Sequence, residues 1–389
     1  MQRPLFAPLF ALAALLPLPP TAAAQPGPGT APGPARVPAG VKAYRDLAYV
    51  VDGHERQKLD LFVPEKAAGP LPLIIWIHGG GWQNGSKENC PPLRQGYPER
   101  GYAVASLNYR LSGHAVFPAQ IEDCKAAIRW LRAHAATLGL DPQRFGVWGS
   151  SAGGHLAALV GTSGDVAAFE FGAHRDQSSR VQAVCDYYGP TDFNVFVATP
   201  GYESHGTAQS PEAKLFGGAV RERPAEAARA NPITHVSRDD PPFLIVHGDE
   251  DRTVPLNQSQ LLHEALARAG VSAQLHTIRG GGHGQGFGGP EIEPLVRGFF
   301  DRVLKARTLP PNLGPATTSA SEASPGPAAP QGKAGKGKGA DTMTWEQVRR
   351  IEGVEDDGRV ARRDFKGPAA LFARLDRNGD GFVSKADFR

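Results

Sequence analysis

The chain has 389 residues, more than one typical domain, so a large domain with an appendage is expected. Hydrophobic residues make up 41%, enough to fill a core. A net charge of +3 gives no case for a nucleic-acid partner or for electrostatic binding to a membrane.

From the N-terminus, Arg3 precedes the apolar run "LFAPLFALAALLPL", and small residues follow at Ala22 to Ala24. A charged start, a hydrophobic stretch and an A-x-A site read as a secretory signal over residues 1–24. The run is shorter than the ~20 residues a spanning helix needs, and prolines break it. The expectation is a secreted or periplasmic protein with no membrane segment beyond the signal. Residues 25–40 are rich in Pro, Gly and Ala and read as a flexible segment.

Over residues 41–307, short apolar runs alternate with helical patterns. The runs include "KLDLFV", "PLIIWIH", "YAVASLNY", "RFGVWG", "VQAVCDYY", "PFLIVHG" and "AQLHTI". The later ones lack alternation, as strands buried on both faces do. "QIEDCKAAIRWLRAHAATLG" carries Ile121, Cys124, Ile128 and Leu131 on one stripe, as a helix would, and stops near Gly139. The segment therefore reads as an α/β domain: a mostly parallel sheet with helices on both faces.

Chemistry gathers at the ends of these runs. Gly149-Ser150-Ser151-Ala152-Gly153 is a G-x-S-x-G between a strand and a helix, the context of a nucleophile elbow. Ser151 is its central serine, and Ser150 points elsewhere. A serine hydroxyl needs a base. His155 would lie along the elbow helix and reads as structural. His283, in "IRGGGHGQGF" after the last strand, lies where an open parallel sheet gathers its site. An acid to orient the imidazole is offered by Asp249, Glu250 and Asp251 in "FLIVHGDEDRTVP". The oxyanion of an acyl-transfer intermediate needs backbone donors. Ala152 is one, and the glycines of "HGGGW" after "PLIIWI" supply another. His78 reads as a loop-shaping residue and Asp192 as a turn residue.

The chain has three cysteines. An oxidising compartment would allow at most one internal disulfide. Cys90 in a loop and Cys124 in a helix are the expected pair, and Cys185 in a strand reads as a buried thiol. No cysteine spacing suggests zinc. The stretch between "YYGPTDF" and "PPFLIVHG" should form a cap over Ser151. Within and before it, "FNVFVATPGYE" and "FEFGAH" could line an aromatic-tolerant pocket or could be lid packing.

Together, "HGGGW", "NYRLS", "DPQRFGVWGSSAGGHLAAL", "HGDEDRTVP" and "GGGH" resemble the α/β-hydrolase superfamily over about Ala43 to Leu304. Within it they are similar to hormone-sensitive-lipase-like enzymes and feruloyl or acetyl-xylan esterases. The resemblance implies an α/β-hydrolase fold and maps the nucleophile onto Ser151, the base onto His283 and the oxyanion glycines onto Gly80 and Gly81, beside Ala152. It selects Asp251, third after Gly248 in the HG-x-x-D-x-x-V-P pattern, as the acid. The implied activity is hydrolysis of a small-molecule or carbohydrate ester, with acyl or feruloyl groups as candidates and no cofactor for catalysis. An arylformamidase-like amide hydrolase uses the same pieces, and a noncatalytic binding protein on a hydrolase fold is the reading from another class.

Residues 308–340 turn to Pro, Ala, Ser, Gly and Lys and read as a disordered linker. Residues 341–389 read as a small α-helical EF-hand module. Its loop 376–387, "DRNGDGFVSKAD", spaces oxygen ligands for calcium as Asp376, Asn378, Asp380, the Phe382 carbonyl, Ser384 and Asp387. Aspartate at position twelve, where glutamate is usual, implies weak binding. "DGRVARRDF" repeats "DGFVSKADF", so residues 353–364 form a partner loop. Gly353 and Ala361 leave two of its ligand positions empty, so it reads as degenerate. The compact pair is similar to dockerin-type modules, which implies a protein partner for the tail.

Overall fold

The computed structural model describes residues 36–305, 359–361 and 382–384. The chain divides into two units, Met1–Ala316 and Thr317–Arg389. The expected signal (1–24) and linker (308–340) lie outside the described residues, as do most of the flexible segment (25–40) and most of the calcium loop.

The first unit opens on a half-exposed strand outside the seven named runs, β1 Val41–Ala48, and the runs become β2 Lys58–Pro64, β3 Leu71–Ile77, β4 Ala103–Leu107, β5 Leu140–Ser150, β6 Ala183–Tyr187, β7 Phe243–Gly248 and β8 Ala273–Ile278. They form one sheet in the order β1-β2-β4-β3-β5-β6-β7-β8. The β1–β2 and β2–β4 pairs are antiparallel, and every later pair is parallel. Every residue of β3, β4, β6 and β7 is buried, which explains why they are mostly apolar, with Ser106, Asp186 and His247 as buried exceptions.

Side chains alternate between two cores. Leu73, Ile75, Ile77 and Val147 pack on one face with the helices Ala119–Ala133, Ala152–Thr162 and Asn257–Ala269. Ile74, Trp76, Val104 and Trp148 pack on the other with the helix Ile292–Phe300. That parity corrects the expected disulfide. Cys124 belongs to the first core and Cys90 to the second, so the sheet lies between them, and all three cysteines are free and buried. No helix among the described residues is long and apolar enough to cross a membrane.

In the second unit, two short strands, β9 Arg359–Ala361 and β10 Phe382–Ser384, pair antiparallel. Val360 faces Val383, and both are buried.

Candidate active site

β5 runs directly into the helix Ala152–Thr162, and Ser151 sits between them at φ 55°, ψ −123°. The chain can turn this sharply because its neighbours lack side chains. A Cβ on Gly149 would overlap the Gly153 carbonyl, and one on Gly153 would overlap the carbonyls of Ile77 and His78. The Ser151 amide donates to the Tyr187 carbonyl at 2.8 Å, so the turn is tied to β6. Ser150 hydrogen-bonds Tyr188 instead of entering the relay below.

Three sequence-predicted residues meet here. The Ser151 hydroxyl donates to His283 Nε2 at 3.0 Å, and His283 Nδ1 donates to Asp251 Oδ2 at 2.7 Å. The Asp251 side chain is fully buried, and its Oδ1 accepts from the amides of Thr253 and Val254 at 2.7 and 3.0 Å. Burial alone would raise its pKa. Hydrogen bonds from His247 and His283 outweigh burial and hold the carboxyl well below the usual carboxylate range. Asp249 does other work: its Oδ1 accepts from the Gly280 amide at 2.6 Å, bracing the loop that carries His283.

The glycine loop after β3 lies across from this relay. Gly80 and Gly81 have φ of 112° and 58°, conformations that favour glycine. The Gly80 carbonyl accepts from the amides of Gln83 and Asn84, closing a turn. Ala152 is the first residue of its helix, so its N–H has no partner within the helix. Gly80, Gly81, Ser151 and His283 line one cavity of about 600 Å³.

His78 and His155 hold this loop as neutral groups. His78 donates from Nδ1 to the Gly79 carbonyl at 2.7 Å and stacks on Tyr109. Its Nε2 faces Arg56 Nη2 at 3.2 Å and accepts from it. His155 Nδ1 accepts from the Trp82 indole at 3.2 Å, and its Nε2 donates to the Ala230 carbonyl at 2.8 Å. Burial pulls both imidazoles down to about 4. Asp192 caps the helix Phe193–Phe196, accepting from the amides of Asn194 and Val195.

Several residues of the site are not among the sequence candidates, although one of them, His247, lies in the motif "HGDEDRTVP". Arg56 reaches the Gly85 and Tyr109 carbonyls and Asn108 Oδ1, bracketing the glycine loop. The Tyr202 hydroxyl donates to the Asp251 carbonyl. His247 donates to the Val254 carbonyl at 2.9 Å and lies 3.4 Å from Asp251 Oδ2. Of the two open readings for the cap, packing holds for "FNVFV": Phe193 and Phe196 are fully buried, and Phe193 packs against Trp82 and His155. His205, Pro211 and Glu212 line the cavity from the cap instead.

The strand order and the elbow define an α/β-hydrolase fold. The BD-FAE family model matches residues 59–266, more than half of the chain, and the chain belongs to that family. It is 32% identical to Esterase LipC of Mycobacterium tuberculosis over 71% of this chain and 71% of LipC. Esterase LipQ of the same organism is 34% identical over 58% of this chain and 53% of its own length. The chain thus spans about half the length of several curated relatives it matches. Among solved structures, a truncated carbohydrate esterase from gut microbiota is similar at 33% identity and a TM-score of 0.63, covering 71% of this chain and all of that one.

Proposed function

We propose that the protein is a serine esterase acting on carboxylic esters, with esters of carbohydrates as its substrate class. One observation carries this reading: a serine at an elbow, 3.0 Å from an imidazole whose other nitrogen is 2.7 Å from a buried carboxylate. Ser151 attacks the carbonyl carbon while His283 Nε2 takes its proton. The oxyanion forms opposite the amides of Gly80, Gly81 and Ala152. His283 then protonates the leaving alcohol, and water, activated by the same nitrogen, releases the acid. The carbohydrate part is supported by the likeness to the gut carbohydrate esterase.

Labelling by a fluorophosphonate probe tests the assignment. Ser151→Ala should lose labelling and p-nitrophenyl acetate hydrolysis, while Ser150→Ala keeps most of both. A labelled Ser151→Ala protein would move the nucleophile elsewhere.

The tail is read as a calcium module of an exported protein. In support, β9 and β10 pair equivalent positions of the sequence repeat, with Val360 opposite Val383 at position eight of each loop. Calcium titration of the full chain should give one weak site, in the ~10⁻⁴–10⁻³ M range of extracellular modules. Asp376→Ala should abolish it, and esterase activity should survive EGTA. Two equal sites, or none, would contradict the reading.

A further inference from the structure

The cavity that holds Ser151 and His283 also holds a second histidine–carboxylate pair. His205 Nδ1 donates to Glu212 Oε1 at 3.0 Å, and both residues line the cavity. Glu212 is only 2% exposed, and its second oxygen, Oε2, has no partner among the described residues. A buried carboxylate oxygen without a donor is rare, because desolvation is not repaid. The His205 ring is fixed from the other side by Phe196, with centroids 4.5 Å apart. The pair thus commits Nδ1 to Glu212 and leaves Nε2 to meet whatever enters the cavity.

Its place in the fold ties it to both loops of the site. The cap segment carrying His205 docks on the acid loop, where Tyr202 donates to the Asp251 carbonyl. Glu212 follows Pro211, which lies against Gly81 of the oxyanion loop. Lys214 on the same short helix donates to Gln83 Oε1 at 2.6 Å. The pair therefore bridges the cap between the two loops, and in the carbohydrate-ester reading above the hydroxyl-bearing half of the substrate is the alcohol.

We infer that His205, held by Glu212, is a specificity residue that accepts a hydrogen bond from a free hydroxyl on the alcohol half of the ester, so that the preferred substrates are monoesters of polyols. This rests on the esterase reading above and deepens it. The alcohol then presents a hydroxyl donor to Nε2, while the buried Glu212 holds the ring that receives it. A site built around buried acceptors discriminates against an analogue that lacks the donors, because the acceptors are left unpaired.

The test compares two acetates with the same three-carbon alcohol skeleton, glycerol 1-monoacetate and n-propyl acetate. The measured quantity is the ratio of their kcat/KM values, in which partial loss of folded enzyme cancels. The wild type should favour the monoacetate. His205→Phe, which keeps a ring against Phe196, should lower the ratio about tenfold, the size of one lost hydrogen bond in a buried site. Glu212→Gln should lower it in the same direction. An unchanged ratio in both variants, whatever happens to absolute rates, overturns the inference, as does a wild type that prefers propyl acetate. If the variants instead shift the ratio of ethyl lactate to ethyl propionate, the hydroxyl is read on the acyl half and the assignment is wrong. A wild type that cleaves none of these esters and takes no fluorophosphonate refutes the esterase reading itself, and the inference with it.

Discussion

The loop after β3 and the loop after β7 meet over Ser151, and they are held by different means. The acid loop is braced by its own main chain and that of its neighbour. The Asp249 amide donates to the Ile278 carbonyl and the Glu250 amide to the Gly281 carbonyl, while Asp251 collects Thr253, Val254 and His283 around one carboxylate. The glycine loop has left-handed backbone at Gly80, Gly81 and Trp82, and remote side chains hold it: Arg56 through His78, and His155 through Trp82. The first arrangement concentrates function on one side chain. The second spreads it over several partners, so damage there should be graded.

The largest expected effect lies in the acid loop. Asp251→Asn should lower kcat by about 10⁴, as loss of the orienting acid does elsewhere. Asp249→Asn should cost only about threefold, since an acid that braces a loop leaves the imidazole its partner. Steady-state kinetics on p-nitrophenyl acetate measures both, and the reverse ranking would transfer the acid's role to Asp249.

A smaller loss belongs to the glycine loop. Arg56→Ala should lower kcat about 10- to 100-fold with KM nearly constant, less than the loss of an oxyanion donor itself. Arg56→Lys should recover part of it. A rise in KM at constant kcat would mean that the loop holds ground-state substrate instead.

The smallest effect concerns pH. His78 and His155 are buried and neutral, with folded values near 4 against 6.5 unfolded. The unfolded chain therefore binds protons first, and stability is lost as pH falls from about 6.5 toward 4. The loss is about 1 kcal/mol per histidine between pH 7 and 5.5. Urea denaturation midpoints across that range should fall. A flat profile would mean that both imidazoles are charged in the folded protein, and half the expected fall that one of them is.

Much of this was legible in the sequence, for a physical reason. Parallel strands buried on both faces are mostly apolar, so β3, β6, β7 and the "RFGVWG" part of β5 announce themselves, and tight turns at their ends need glycine. Ser151 and His283 follow because each sits at such an end, whereas Asp249, Glu250 and Asp251 share one end and the family pattern was needed to choose among them. Arg56, Tyr202, His205 and Glu212 were not legible. Arg56 and Tyr202 acquire their partners from distant segments, and His205 and Glu212 pair across a seven-residue stretch of the cap with no regular pattern, so no local spacing encodes their roles. The disulfide expectation failed on parity. Loop and helix positions for Cys90 and Cys124 did not reveal that the two residues pack on opposite faces of one sheet.

The left-handed backbone of Ser151 has a consequence for how this protein can change. A serine at φ 55° carries strain that typically costs about 1–3 kcal/mol, and alanine in its place would carry the same. Glycine would not. Ser151→Gly should therefore melt above Ser151→Ala by roughly 2–4 °C, even after the extra chain entropy of glycine is subtracted. Both variants would be inactive, so the molecule holds a reserve of thermal stability that is reached only by giving up its nucleophile. Selection for robustness alone would remove this serine, and its retention depends on continuing demand for the chemistry.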